Sequence, residues 1–494
     1  MLLSVVVSLY TSRVVLEVLG VEDYGLYGLV GGVVSMFSFL NSTMAGATSR
    51  FLTFEMGKGN QERIRATFSS ALIIHIGIAL IVLLLAETVG LWFLNNKLVI
   101  PAERMTAAHW VFQVSVLGMM VTFTQVPYNA AIIAHEKMDI YAYVELLNVF
   151  LKLGIVYLLS IGNIDKLILY AFLVLLVNVL IAFIYRLFCI KNYNETRVWF
   201  IFEKNIIKPM ISFSSWELIS HLGYTFRMQG INVVLNMFFG VVINAVVNIA
   251  TTIQSTLLNF SNNIVLAFKP QIIKNYAIGQ FSEMTRLVMS GTKLNILLQA
   301  IFTIPIIFNI DYILNTWLKN PPGGASAFCC IMLCSNLLAS MTQLLNTAIQ
   351  ATGKVKVFSL SQSIIYIIVP IFTYFYFSCT DSDPIFAYII IFISQILSAI
   401  ITVVILKSLI KSFEVKNYVF LTLKLLVVFF IVCILNESIL HREFHSLQQF
   451  IFILTLDSMV ILSSFYFCIF NSNERSIVSS FIKKILSSLK KTNY

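Results

Sequence analysis

Six charged side chains stand out at depth in stretches otherwise apolar enough to cross a bilayer: Arg50, Lys152 and Arg227 against Glu145, Glu217 and Asp457. At that depth a charge costs about 2.5–3.5 kcal/mol on insertion scales, so it usually faces a cavity, a partner or a substrate. Glu145, Asn148 and Lys152 recur at i, i+3 and i+7 and share one helical face. They read either as a Glu–Lys pair that stabilises packing or as a cavity wall where Lys152 meets an anion and Glu145 sets its charge. Glu217 and His221 lie one turn apart, within hydrogen-bonding reach. Arg227 follows near mid-helix, with Trp216, Ser220 and Tyr224 close to its own face. An arginine there is the costliest choice unless something negative meets it. Arg50 sits near the polar end of its segment and either snorkels or serves the same anion.

Uncharged groups form a second pattern. Asn244, Asn248, Thr252, Ser255, Asn259 and Asn262 follow helical spacing and make one continuous stripe. Asn336, Ser340, Gln343, Asn346 and Gln350 make another. Such stripes either hydrogen-bond packed helices together or line a wet cavity suited to sugar hydroxyls. Gly25, Gly28, Gly31, Gly32, Ser35, Ser42 and Gly46 permit close helix approach. His75 and Asp457 are lone polar residues and read as structural or interfacial. The seven cysteines are scattered without a CxxC pair and read as small hydrophobes. No metal set, Walker A sequence, HExxH or GxSxG occurs. No cationic–aromatic soluble surface suggests nucleic-acid binding.

The elements that must carry these residues are membrane helices. The chain has 494 residues, 59% hydrophobic and 11% charged, where soluble chains carry about 25% charged. Apolar windows long enough to span recur over 1–19, 25–54, 67–94, 107–134, 140–160, 165–189, 210–239, 242–268, 287–316, 325–351, 357–378, 384–407, 418–437 and 447–470, which makes about 14 transmembrane helices. Counted by alternate loops, 24 of the 33 basic residues fall on the side that also holds the C-terminal tail, which the positive-inside rule makes cytoplasmic. A wrong span count would scramble this asymmetry. Both termini are therefore expected in the cytoplasm. The opening LLSVVVSLYTS has no charged n-region and no cleavage site, and an upstream basic leader is expected.

The fourth and tenth spans end alike. Thr124-Gln125, Asn129-Ala130-Ala131 and Lys137 correspond to Thr342-Gln343, Asn346-Thr347-Ala348 and Lys354. The second and eighth do too, with Gly57-Lys58-Gly59-Asn60-Gln61 against Gly279-Gln280. An offset of about 217 residues is six helices, an even number, so the two copies enter the membrane from the same side. The expected plan is an N-terminal six-helix lobe (1–190), a cytoplasmic linker (191–208), a C-terminal six-helix lobe (209–408), two added helices (409–473) and a basic amphipathic tail on the inner leaflet (474–494). Two pseudo-symmetric lobes are a transporter plan, with substrate bound between the halves.

Ser12-Arg13-Val14-Val15-Leu16, Leu19-Gly20-Val21-Glu22-Asp23-Tyr24-Gly25 and Arg50-Phe51-Leu52-Thr53-Phe54-Glu55-Met56-Gly57 resemble the opening of Wzx-type O-antigen and polysaccharide repeat-unit flippases. Pro127-Tyr128-Asn129-Ala130, Ala134-His135-Glu136-Lys137-Met138 and Ala351-Thr352-Gly353-Lys354 extend the resemblance over essentially the whole chain. It implies the multidrug/oligosaccharidyl-lipid/polysaccharide exporter superfamily and a MATE-like fold around a central cavity. It also implies a substrate, a short glycan on undecaprenyl pyrophosphate moved across the bacterial inner membrane for O-antigen, capsule or exopolysaccharide. Members usually carry a basic leader, in keeping with the upstream one expected above.

On that reading Arg227, Lys152 and Arg50 are candidates for the pyrophosphate. Asn148, Asn244, Asn248, Thr252, Asn259, Gln343 and Asn346 are candidates for sugar hydroxyls. Glu145, Glu217 and His221 are candidates for proton or sodium coupling, with no other cofactor. Membrane lipids and the lipid-linked oligosaccharide are the expected partners, with a polysaccharide polymerase and a chain-length regulator as further candidates. Three rivals stand beside it: a MATE-type drug/cation antiporter, a lipid II flippase, and a membrane glycosyltransferase or polymerase. The last needs catalytic groups on a long external loop, and none occurs.

Overall fold

The computed structural model describes residues 2–35, 38–96, 98, 100–159, 165–197, 201–318, 321–439, 447–472 and 474–476. They are almost wholly helical: α1 Leu2–Ser35, α2 Ser38–Lys58, α3 Gln61–Leu85, α4 Leu91–Asn96, α5 Met105–Ala134, α6 Met138–Leu158, α7 Lys166–Asn192, α8 Lys204–Phe239, α9 Val241–Ala277, α10 Phe281–Phe308, α11 Ile310–Leu318, α12 Ala325–Thr352, α13 Lys356–Cys379, α14 Phe386–Leu409, α15 Val415–Ile439 and α16 Leu447–Ser464. No strand occurs among the described residues. The amphipathic tail expected over 474–494 lies outside them beyond Ser476.

These elements reproduce the expected spans with three refinements. α1 bends at Gly20, whose φ of 81° suits a residue without Cβ; the first expected span ends there. The second expected span is shared between the remainder of α1 and α2. A single residue, Gly240 at φ 76°, separates α8 from α9. Among the described residues, eight helices are long and apolar enough to cross a membrane. α6, α8 and α9, which carry many of the charged and amide residues singled out above, are among the helices outside this set.

The chain divides into two compact units, Met1–His221 and Leu222–Tyr494, with the boundary inside α8. In the first, α5 packs on α2, α3 and α7, and α2 on α3. In the second, α12 packs on α9, α10 and α14, and α9 on α10. This is the same pattern one repeat later. The turns agree as well: Gly59 and Gly279 both take positive φ between the paired helices, and Glu136 and Gly353 do so after α5 and α12. Apolar side chains fill the interiors, as with Leu52, Phe68 and Tyr185 in the first unit and Leu235, Val246 and Phe328 in the second. Leu84, Phe183, Ile400 and Phe430 lie exposed, as a lipid-facing surface requires.

Candidate functional site

Arg227 is the most enclosed charge of the second unit's first helix segment. It is 5% exposed and sits in the corner made by two tyrosine rings, with Cζ 4.5 Å from the centroid of Tyr366 on α13 and 5.1 Å from that of Tyr224. The two rings meet edge to face at 5.8 Å. Its Nε–H is buried without a hydrogen-bond partner, and among the described residues no carboxylate pairs with it. α13 reaches this close because α8 is bare there. A Cβ at Gly223 would lie 3.0 Å from Ser363 Cα, and one at Gly230 would lie 2.9 Å from Pro370 Cβ. Trp216 and Ser220, expected near Arg227, belong to the first unit; Tyr366 was not foreseen, because no local spacing reports a partner 139 positions away.

The polar stripe of α9 divides. Asn244 is tied into the α8–α9 hairpin: its Nδ2 donates to the Asn232 carbonyl at 3.1 Å, and its Oδ1 accepts from Asn236 at 3.1 Å. Asn248, Thr252 and Asn259 remain on the exposed surface of α9, with Ser255 and Asn262 beside them. The Thr252 hydroxyl donates to the Asn248 carbonyl, leaving the Asn248 and Asn259 amides as the outward donors and acceptors.

The α12 stripe is mostly inside the unit. Gln343 accepts from Asn295 Nδ2 at 3.1 Å, and Asn336 Nδ2 donates to the Gln254 carbonyl at 2.9 Å. Asn346 Oδ1 is buried without a hydrogen-bond partner. The network continues along α10 through Asn295, Gln299 and Thr303, and Thr292 extends the same stripe, all four buried. That stripe was legible from its 3, 4, 4 spacing and was missed.

In the first unit, Lys152 is exposed on α6, with Glu145 and Asn148 half-buried on the same face. Asn148 donates to Glu145, and Lys152 is an electrostatic neighbour without forming a contact ion pair. Arg50 does not snorkel: it is 6% exposed, over the rings of Phe51 at 4.6 Å and Phe54 at 4.7 Å, with Phe213 of α8 at 6.0 Å. Glu217 is half-buried and His221 is exposed. His75 donates from Nδ1 to the Ala71 carbonyl at 2.8 Å.

Three tethers lie at the helix ends. Arg104 forks across Asp23 and Asp165, joining the bent part of α1 to the starts of α5 and α7. His135 Nε2 meets Glu195 Oε1 at 2.5 Å and stacks on Tyr193 at 3.8 Å. Burial pushes the Glu195 carboxyl up, but the hydrogen bond from His135, with backbone and Arg65 support, holds it below its ordinary range. Lys293 binds Glu474 at 2.9 Å and so fastens the start of the tail to α10. A cavity of about 220 Å³ in the first unit is lined by Tyr27, Ser115, Thr122 and Asn178 among others. A groove of about 190 Å³ in the second, bounded by Ile296, Leu337 and Phe429, is almost wholly apolar. Among the described residues no cluster could hold a metal ion.

No protein-family model matches the chain. The crystal structure of MATE in the straight conformation superposes with a TM-score of 0.71 at 14% identity, covering 83% of this chain and 93% of that one. The fold is MATE-like. An outward-facing multidrug resistance MATE family transporter of the MOP superfamily gives 0.69 at 15% identity, covering 83% and 92%. A MOP superfamily transporter from Pyrococcus furiosus Vc1 (DSM3638), described by the reverse polarity of its binding pocket, gives 0.67 at 15% identity, also over 83% and 92%. In sequence, the uncharacterized membrane protein EpsK of Bacillus subtilis (strain 168) is 22% identical over 307 residues. The match spans 61% of this MATE-like chain and 59% of EpsK.

Proposed function

We propose that this chain is a flippase that moves an undecaprenyl-pyrophosphate-linked oligosaccharide across the bacterial inner membrane, with both termini in the cytoplasm. The carrying observation is Arg227, a buried guanidinium within a spanning helix that no described carboxylate neutralises. Charge-assisted bonds to a phosphate are strong in such surroundings, and a cation held there awaits an anion. The exposed Asn248, Thr252 and Asn259 supply neutral groups for sugar hydroxyls, and acyl chains would leave those amides unsatisfied. Lys152 and Arg50 complete the cationic set, and Glu145, Glu217 and His221 remain the candidates for ion coupling. No covalent bond changes: alternating access between the two lobes would carry the head group while the prenyl tail stays in lipid.

A drug/cation antiporter is the second reading, favoured by the likeness to a multidrug resistance transporter. It needs an acidic site for cations, whereas the depth charges here are balanced. The neighbour with reversed pocket polarity supports the view that this fold accommodates cargo of other charge.

The deciding experiment reconstitutes the full chain in liposomes and follows flipping of a lipid-linked glycan. Arg227→Ala should slow it about tenfold or more, the equivalent of one lost charge-assisted hydrogen bond. Undiminished flipping at equal insertion removes Arg227 from the mechanism. Drug export from an efflux-deficient host, without glycan flipping, favours the antiporter.

A further inference from the structure

We propose that His135 and Glu195 form a proton-operated latch that holds the chain leaving α7 against the first unit, closed when the imidazole is protonated and released when it is neutral. The latch lies on the side rich in basic residues, proposed above to face the cytoplasm, and it stands independently of the cargo.

His135 closes the end of α5, where Glu136 takes φ 60° and turns the chain toward α6. Glu195 lies in the short 3₁₀ turn Asn194–Thr196 that follows α7. The two side chains meet at 2.5 Å, and the imidazole stacks on Tyr193 at 3.8 Å with the planes 3° apart. The carboxylate is 7% exposed and the imidazole 32%, so water reaches the ring while the anion stays enclosed. Arg65 of α3 bears on Glu195 electrostatically, without a contact ion pair. The Cys189 thiol of α7 is spent on the Tyr128 carbonyl at 3.5 Å. Burial pushes the Tyr193 phenol up to about 12, and Glu136, Lys137 and Asp139 beside His135 are exposed.

Imidazole is the side chain that ordinarily titrates between about pH 5 and 8. Protonated, it gives Glu195 a charge-assisted bond; neutral, it leaves an enclosed carboxylate with a weaker one. Burial alone would raise the Glu195 carboxyl, but the His135 bond outweighs it and keeps the group ionised through that window. The pair therefore stabilises the turn above the carboxylate range and loses strength as pH rises through the imidazole range.

The second unit shows that the fold does not require an ionisable pair here. After α12, Thr352 occupies the position of His135. Its hydroxyl is spent within the turn, donating to the Ile349 carbonyl at 2.7 Å and accepting from the Lys354 amide at 3.1 Å. After α14, the Ile410 and Phe413 amides repeat the bonds that the Tyr193 and Thr196 amides make after α7, so Ser412 stands where Glu195 does. That turn is held by Lys407, whose Nζ donates to the Lys411 and Phe413 carbonyls at 2.8 and 2.9 Å. One copy is thus clamped by a lysine on backbone carbonyls, and the other by a pair that a proton can close or open.

Hydrogen exchange of the full chain in lipid nanodiscs, resolved at the Tyr193 and Thr196 amides and divided by intrinsic rates, reads local opening of this turn. The Ile410 and Phe413 amides serve as internal references. From about pH 5.5 to about 8.5, across the imidazole range, protection of Tyr193 and Thr196 should fall several-fold while the references hold. His135→Gln should abolish the step, and so should Glu195→Gln. His135→Gln, at the more exposed partner, decides alone if Glu195→Gln does not insert. No step in the parent overturns the latch, as does a step that persists in His135→Gln. A step shared by Ile410 and Phe413 belongs to the whole chain and overturns it too. Glycan flipping does not enter this readout, so its failure would sink the transport reading and leave the latch in place.

Discussion

Asn295 holds three helices with one side chain. Its Oδ1 accepts from Ser261 on α9 at 2.7 Å, and its Nδ2 serves the Ser340 carbonyl at 3.0 Å and Gln343 at 3.1 Å on α12. Gln299 repeats the device one turn on, donating to the Leu257 carbonyl at 2.7 Å. Hydrogen bonds between membrane helices are worth about 1–2 kcal/mol in model peptides, and here one residue satisfies several groups at once. Asn295→Leu should therefore lower the thermal unfolding midpoint in detergent by the equivalent of about 1–2 kcal/mol. Asn248→Leu, on the exposed face of α9, should leave it nearly unchanged; equal losses would mean the exposed stripe is also packing. The same contrast explains what was readable in advance. Periodicity marks a stripe as polar, but whether it faces a helix or open space depends on which neighbour covers it. α12 and α9 carry similar stripes, and only the first is covered by α10.

At the scale of elements, the clearest device is Arg104 at the start of α5. It grips Asp23, just past the Gly20 bend in α1, and Asp165, which caps α7 through the amides of Leu167 and Ile168. Burial pushes the Asp165 carboxyl up, but the Arg104 hydrogen bond and the two cap bonds outweigh it and leave it below its ordinary value. A carboxylate whose folded pKa is depressed contributes stability above its unfolded pKa, about 3.9, and loses it as pH falls through the folded value. Arg104→Gln should thus cost about 1–3 kcal/mol near neutral pH, read as a lowered melting midpoint. The gap to the parent should close as pH drops into and below the carboxylate range; a gap constant with pH would assign the loss to packing. The acidic character of Asp23 and Asp165 was legible in the sequence. Their joint partner was not, because the three lie on separate segments of the chain that only the packing of α1, α5 and α7 unites.

For the whole molecule, span count and repeat were legible because hydropathy and loop charge are additive along the chain and need no tertiary information. The repeat showed in the α5 and α12 ends and proved to be a repeat of packing, with Gly59 and Gly279 at equivalent turns. The pairing of Arg227 with Tyr366 was not legible, since the two lie far apart in sequence. The proposed orientation rests on loop charge and can be tested with two native thiols. Cys379 ends α13 and Cys468 lies beyond α16, and both are exposed. α13 starts beside Lys354 and Lys356, on the side rich in basic residues, so its far end should face away from the cytoplasm. The end of α16 leads into Arg475 and the lysines of the tail and should face inward. In variants that retain one of these two cysteines alone, a membrane-impermeant maleimide applied to intact cells should label Cys379 and spare Cys468. After membrane disruption, both should react. The reverse pattern would invert every loop and put the 24 basic residues outside. Arg50 lies toward the same basic end of its helix, so that inversion would place the entrance for the lipid-linked head group in the leaflet to which this proposal delivers it.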